Sequence, residues 1–377
     1  MIYIHFPFCR SFCSYCDFYS TTMLVNMSEV LDAILKEWLR ERDHWLPILI
    51  DSNTPRPVTL YIGGGTPSLC PVEKLQPVVE QLQQDIHATG TSLAEFTVEA
   101  NPDDISLQYC RELLEMGVDR LSIGIQSFVD KHLKSMKRRH TGDQAAKAVL
   151  MAKQAGFKNI SIDLMFGFHN LTVKQWKENL SRATDLGPEH ISAYQLSLEP
   201  ATPWGEHNTL PTQEACLAQY SILQDVLEQH GYQQYEISNF CLPGKESLHN
   251  SGYWQRIPYI GLGPSAHSFN GHLRYWNVYS TDQYINGLRK NKPYRRFDRL
   301  KPDDVHNEWI LLQLRTKDGF SLEGLREREG DPALAAFLRK IKPLKKRDLL
   351  VEENGRVLIP PSLYFVSDQI IRESLLP

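Results

Sequence analysis

Ile2-Tyr3-Ile4-His5-Phe6-Pro7-Phe8-Cys9-Arg10-Ser11-Phe12-Cys13-Ser14-Tyr15-Cys16 joins a short apolar run to three cysteines in a C-x3-C-x2-C spacing. The run Ile2–Phe6 predicts a strand. Pro7, Arg10, Ser11 and Ser14 make the segment after it a loop rather than a core face. Three thiolates on one short loop can close around a soft metal centre. Two occupants fit this spacing. A structural zinc would need a fourth ligand, for which His5 is the nearest candidate. A four-iron cubane would be held by three thiolates and would leave one iron open to a small ligand.

The remaining cysteines, Cys70, Cys110, Cys216 and Cys241, are scattered, and the total of 7 rules out complete internal pairing. Scattered free cysteines suit a reducing compartment, where they act as small buried hydrophobes. With 377 residues, 42% apolar and 23% charged, the chain has the balance of a globular protein of two or three domains. Its formal net charge of −4 argues against a dedicated nucleic-acid binder. No apolar run approaches the roughly 18–20 residues that span a bilayer. The first residues lack the basic start and long apolar stretch of a secretory signal, so a cytoplasmic location is expected.

Beyond the cysteine loop, strand-like runs recur at Ile2–Phe6, Val58–Ile62, Phe96–Glu99, Arg120–Ile125, Asn159–Leu164 and His190–Leu196. Helical periodicity fills the gaps at Glu29–Trp45, Val72–Ile86, Ser106–Met116, Asp143–Ala155 and Val173–Asp185. Strand–helix alternation of this kind predicts a parallel sheet, open or closed into a barrel. Gly117, Gly156 and Gly187 stand where left-handed helix C-caps are common. After about residue 200 prolines interrupt the pattern, with a helix expected over Gln213–His230. His249–Trp276 reads as irregular or short-strand structure. From about Leu300 helices precede two runs that flank Asn354-Gly355, a hairpin signature. The basic run from Arg339 to Arg347 reads as a solvated helix face.

Five further motifs give the chain a family likeness: Gly63-Gly64-Gly65-Thr66-Pro67, Glu99-Ala100-Asn101-Pro102, Gly124-Ile125-Gln126-Ser127-Phe128, Asp163-Leu164-Met165-Phe166-Gly167 and His249-Asn250-Ser251-Gly252-Tyr253-Trp254. With the cysteine loop, they make nearly the whole chain resemble the radical S-adenosylmethionine superfamily, in its HemN/HemW branch. The first four lie at or just past strand ends, where parallel α/β folds bind ligands. The resemblance implies a partial (β/α)6 barrel over residues 1–235, a connecting region over 236–299 and a small α+β, winged-helix-like domain over 300–377. It implies a [4Fe–4S] cluster on Cys9, Cys13 and Cys16, with S-adenosylmethionine chelating the open iron. Tyr3, Tyr15, Gly64, Gly65, Thr66, Glu99, Gln126, Arg138 and Asp163 match family positions at that cofactor. A carboxylate suits the cationic sulfonium, and a guanidinium suits the methionyl carboxylate. One electron from the reduced cluster would cleave the cofactor to a deoxyadenosyl radical.

Within the branch, two functions compete: an oxygen-independent coproporphyrinogen III dehydrogenase and a haem chaperone. Three features favour the chaperone. Phe18 stands where the dehydrogenase pattern has a fourth cysteine, and the cluster loop begins already at Cys9. The third is the HNxxYW motif, which the resemblance links to haem. It makes His249 a candidate axial ligand, with Asn250, Tyr253 and Trp254 beside the macrocycle. Expected partners are then haem, client haemoproteins (membrane-associated respiratory ones among them) and an electron donor for the cluster. Phe166-Gly167-Phe168-His169-Asn170 and Met136-Lys137-Arg138 depart from the family pattern, so the position of Arg138 rests on an imperfect match.

Overall fold

The computed structural model describes residues 1–50, 56–207 and 209–376. Strands and helices alternate as β1 (Ile2–Phe6), α1 (Met27–Leu49), β2 (Val58–Gly64), α2 (Val72–His87), β3 (Leu93–Ala100), α3 (Leu107–Glu115), β4 (Arg120–Gln126), α4 (Asp130–Ser135), α5 (Gly142–Ala155), β5 (Ile160–Phe166), α6 (Val173–Leu186) and β6 (His190–Gln195). The six strands lie side by side in chain order and are all parallel. Helix caps punctuate the alternation. Thr141 and Thr172 open α5 and α6 in capping boxes with Gln144 and Gln175, and Gly187 closes α6 in the left-handed conformation.

Two faces of each strand meet different surroundings. Ile2, Ile4 and Phe6 of β1, Leu60 and Ile62 of β2, Phe96 and Val98 of β3, Leu121 and Ile123 of β4, and Ile160 and Ile162 of β5 are fully buried in the apolar core. The alternate positions are polar: Tyr3 and His5, Thr59 and Tyr61, Thr97 and Glu99, Arg120 and Ser122, Ser161 and Asp163, His190 and Ser192. Side chains alternate across a strand, so this polar set shares the inner face of the curved sheet. A parallel sheet covered by helices on both faces would read as nearly continuous apolar runs. The alternation therefore marks a partial barrel with a polar interior.

The chain continues through α7 (Pro203–His207), α8 (Gln213–Gln229), β7 (Gln233–Gln234) and β8 (Asn239–Cys241), with β8 antiparallel to β6. It then returns through α9 (Leu248–Trp254) to β9 (Ile260–Leu262), which pairs parallel with β1. A second sheet follows, from β10 (His267–Phe269), β11 (Leu273–Asn277) and, after α10 (Thr281–Lys290), β12 (Arg295–Arg299). The remaining elements are α11 (Pro302–Leu314), β13 (Phe320–Ser321), α12 (Leu322–Lys346), β14 (Val351–Glu353), β15 (Arg356–Leu358) and α13 (Ser367–Ser374). As the sequence predicts, β14 and β15 form a hairpin, with Asn354 and Gly355 both at positive φ. Helices around this small antiparallel sheet give the winged-helix-like form. The basic run ends α12, where Lys345 pairs with Glu352 and Arg347 with Glu373.

Two buried carboxylates tie the later chain to the barrel. Glu37 of α1 accepts hydrogen bonds from the Gly263 N–H (2.9 Å), Asn277 Nδ2 (2.9 Å), the Tyr284 hydroxyl (2.5 Å) and Arg295 Nη2 (2.9 Å). Burial pushes its carboxyl pKa up, and the Arg295 guanidinium opposes that. Glu95 of β3 accepts from Ser247 Oγ (3.3 Å) and from the backbone N–H groups of Leu248 (2.9 Å) and His249 (3.0 Å). These are orphan donors at the start of α9, and an acid there also complements the helix dipole. The helix was not expected in a segment read as irregular. Seven residues that include Gly252 and two aromatics carry little intrinsic helix preference. Ser247 caps it through its Oγ, and Gly252 lets it lie against Met1, since a Cβ there would stand 2.1 Å from Met1 Sδ.

Docking of α9 thus depends on one side chain. Glu95→Ala should lower stability by about 3 kcal/mol, since charged hydrogen bonds to buried donors are lost together. Urea unfolding followed by circular dichroism would check this; a loss below about 0.5 kcal/mol would mean α9 docks by packing alone.

Candidate functional site

The loop between β1 and α1 carries Cys9, Cys13 and Cys16, all free and half-buried at the carboxyl end of the parallel strands. Backbone bonds fix it: the Cys9 N–H donates to Thr21 O (2.9 Å), and the Ser14 N–H to Met136 O (3.2 Å). The glycine turn after β2 is laced to the same loop, the Gly65 and Thr66 N–H groups donating to Phe6 O and Phe8 O, each at 2.8 Å. A Cβ on Gly65 would lie 2.7 Å from Phe8 O, and Gly64 sits at φ +108°. Both positions therefore require glycine. The Gly64 N–H donates to Glu99 Oε2 at 3.1 Å. With its N–H groups engaged, the turn has acceptors rather than donors to offer, which is the sense an ammonium group needs.

A cavity of about 450 Å³ opens beneath the loop. Its lining brings together Cys9, Cys13, Cys16, Tyr15, Gly64, Gly65, Thr66, Glu99, Gln126, Arg138, Asp163 and Asn250. Arg138 donates through Nη2 to Asn101 Oδ1 (2.7 Å) and Gly124 O (2.6 Å), and through Nη1 to Cys13 Sγ (3.6 Å). Thr66 Oγ1 reaches Cys9 Sγ at 3.5 Å. Gln126 holds φ +67°, a left-handed conformation at the end of β4 that turns the chain beside the cavity.

Burial pushes the Cys16 thiol pKa up to about 11 and raises that of Cys9 despite its hydrogen bond from Thr66. A cationic centre would reverse this and hold thiolates. Among the described residues no three His, Cys, Asp or Glu side chains converge on a point where one metal ion would be held. His5 is also engaged, its Nδ1 with the Tyr3 hydroxyl (3.0 Å) and its Nε2 with Tyr19 O (2.9 Å). The donor set therefore fits a single zinc ion poorly. It fits a cubane, in which each thiolate takes its own iron.

Glu99 and Asp163 face the same space. Burial pushes the Glu99 pKa up to about 7, against hydrogen bonds from the Tyr61 hydroxyl (2.8 Å) and Gly64. Burial likewise lifts Asp163 to about 6, against hydrogen bonds from Ser192 and Ser122. Both side chains are half-buried, so cavity water tempers these shifts.

Four predicted residues stand outside the lining. Tyr3 lies behind Tyr61, at 6.2 Å between ring centroids, with its hydroxyl on His5. His249 is 1% exposed, its Nδ1 paired with Thr59 Oγ1 (2.7 Å) and its Nε2 with the Tyr253 hydroxyl (3.0 Å). In this arrangement it presents no free nitrogen to a ligand. Tyr253 packs edge-on against Tyr259, and Trp254 lies under the Arg315 guanidinium. Conversely, Tyr61, Asn101, Arg120, Ser122, Ser192 and Tyr194 line the cavity without having been singled out. All but Asn101 fall on the inward set of strand positions, which the polar–apolar alternation would have revealed.

A cysteine loop over the carboxyl ends of a parallel partial barrel, with glycine and carboxylate positions converging below it, defines a radical S-adenosylmethionine protein. Comparison with known proteins agrees. The model of the radical SAM superfamily matches residues 3–183, and that of the HemN C-terminal domain matches residues 300–362. Heme chaperone HemW of Bacillus subtilis (strain 168) is 34% identical over 366 residues, 95% of this chain and 94% of that protein. Its counterpart in Lactococcus lactis is 30% identical, with 99% and 97% covered. The solved structure of coproporphyrinogen III oxidase (HemN) from Escherichia coli superposes with a TM-score of 0.83 over 99% of this chain and 89% of that one; at 20% identity it shares the fold. The chain belongs to the HemN/HemW branch of the radical SAM superfamily, whose cofactors are a [4Fe–4S] cluster and S-adenosylmethionine.

The two raised carboxyls set a pH signature. A carboxyl whose pKa is higher folded than unfolded opposes folding once ionised, so stability should fall as pH rises from about 4.5 to about 7. Glu99→Gln should flatten the upper part of that fall. Thermal melts between pH 5 and pH 8 would check this, and parallel slopes for the two proteins would place the titration elsewhere.

Proposed function

We propose that this protein is a haem chaperone that carries a [4Fe–4S] cluster and binds S-adenosylmethionine. One observation carries the cofactor reading: residues from five separate motifs line one cavity under a three-cysteine loop. Cys9, Cys13 and Cys16 hold the cluster, which supplies an open iron and a reducing electron. Arg138 donates to the Cys13 sulfur and orients a ligand carboxylate. Glu99 and Asp163, once ionised, favour a sulfonium, and the Gly64–Thr66 turn offers acceptors to the methionyl amine.

The chaperone reading follows from the relatives named HemW, which match this chain nearly end to end, and from Phe18 at the mouth of the cavity. Phe18 is 70% exposed and takes the place of the fourth cysteine of dehydrogenase sequences. Haem is bound and passed to client haemoproteins, membrane-associated respiratory ones among the candidates, from a cytoplasmic pool. Among the described residues no helix is long and apolar enough to cross a membrane. An electron donor for the cluster completes the partners. Of the haem motif, Asn250 reaches the cavity, whereas ligation through His249 requires α9 to release its bonds to Thr59 and Tyr253.

Anaerobic reconstitution with iron and sulfide, followed by haem titration, tests the proposal. Wild-type protein should take up about one haem per chain, and the triple Cys9→Ser, Cys13→Ser, Cys16→Ser protein should lose its iron–sulfur absorbance. Unchanged iron content in the triple variant would sink the cluster assignment. Catalytic formation of protoporphyrinogen from coproporphyrinogen III would replace the chaperone by an enzyme. Undiminished haem uptake by a folded His249→Ala protein would move the axial ligand elsewhere.

A further inference from the structure

Arg120 opens β4 and points inward, three inward positions below Gln126 and therefore far from the cysteine loop. It is 1% exposed, yet it lines the cavity. Among the described residues it makes no hydrogen bond or ion pair, and its Nε is buried without a partner. Its polar neighbours are committed elsewhere. Glu95 holds the start of α9, and His190 is bonded through Nδ1 to Ser161 Oγ (2.8 Å) and through Nε2 to the Tyr235 hydroxyl (2.8 Å). Asp163 and Glu99 lie higher on their strands; the Arg120 charge opposes the rise that burial gives both carboxyl pKa values, but neither forms an ion pair with it among the described residues. An arginine stays protonated even when buried, and its planar fork matches a carboxylate. A buried guanidinium left without a hydrogen-bonded partner is costly, and so is rarely kept for packing alone.

We propose that Arg120 is the floor anchor of the cavity and binds a ligand carboxylate through its guanidinium. A propionate of haem supplies that chemistry, because the methionyl carboxylate of S-adenosylmethionine belongs at the open iron under the cysteine loop. This source rests on the function proposed above. Anchoring from below fixes how deep a ligand sits, whereas Arg138 acts beside the cysteines.

The test compares acid with blocked ligands on the reconstituted full chain by equilibrium binding under anaerobic conditions. The acid is haem and the blocked ligand is its dimethyl ester. Wild type should prefer haem. Arg120→Gln should weaken the acid by roughly tenfold to a hundredfold, the scale of a charged hydrogen bond. It should leave the blocked ligand unchanged, and Arg120→Lys should retain part of the preference. Equal affinities of haem and its ester for wild type would overturn the proposal even if Arg120→Gln fails to fold. Equal losses on acid and blocked forms would also overturn it and make Arg120 a structural charge. If neither haem nor its ester binds, the chaperone reading fails and the proposal with it, whereas haem bound no better than its ester overturns the proposal alone.

Discussion

The structure depends on a single constraint: each barrel strand must satisfy an apolar layer of helices on one side and a polar cavity on the other. Period-two alternation answers it, because consecutive side chains leave a strand on opposite faces. Ile160 and Ile162 face the helices, while Ser161 and Asp163 face the interior. The price is a barrel whose polar core must find partners for every group it encloses. Serines, threonines and tyrosines supply most of them, as in the Thr59–His249–Tyr253 and Ser161–His190–Tyr235 chains.

That division of labour separates a rigid end from a chemical end. Toward the strand starts, side chains are packed and mostly paired with one another, and α9 is pinned there by Glu95. Toward the strand ends, loops carry the cysteines, the glycine turn and Arg138, held together by backbone bonds rather than by packing. Gly64 and Gly65 have no room for side chains because two loops cross there at backbone distance. Precise placement of the thiols thus follows from the sheet through a few main-chain hydrogen bonds.

Much of this was legible in the chain. The C-x3-C-x2-C loop, the strand–helix alternation and the Asn354-Gly355 hairpin are local signals, and local signals survive folding. What escaped depends on distant contacts. Residues 248–254 become helical because Glu95, some 150 positions earlier, accepts their N–H groups. His249 reads in sequence as a candidate metal ligand, yet both of its nitrogens are taken, one by Thr59 from a strand no linear reading places beside it. Arg120 begins a strand, where a charged residue looks solvated; alternation assigns it to the polar face, and the packing of that face buries it.

The closed lower end has a consequence for solvent exposure. Thr59, Glu95, Arg120, Ser161 and His190 are all at most 5% exposed, so the barrel is a well with its mouth at the cysteine loop. Depth then measures distance from solvent: a group held on this floor is farther from water than one held at the rim.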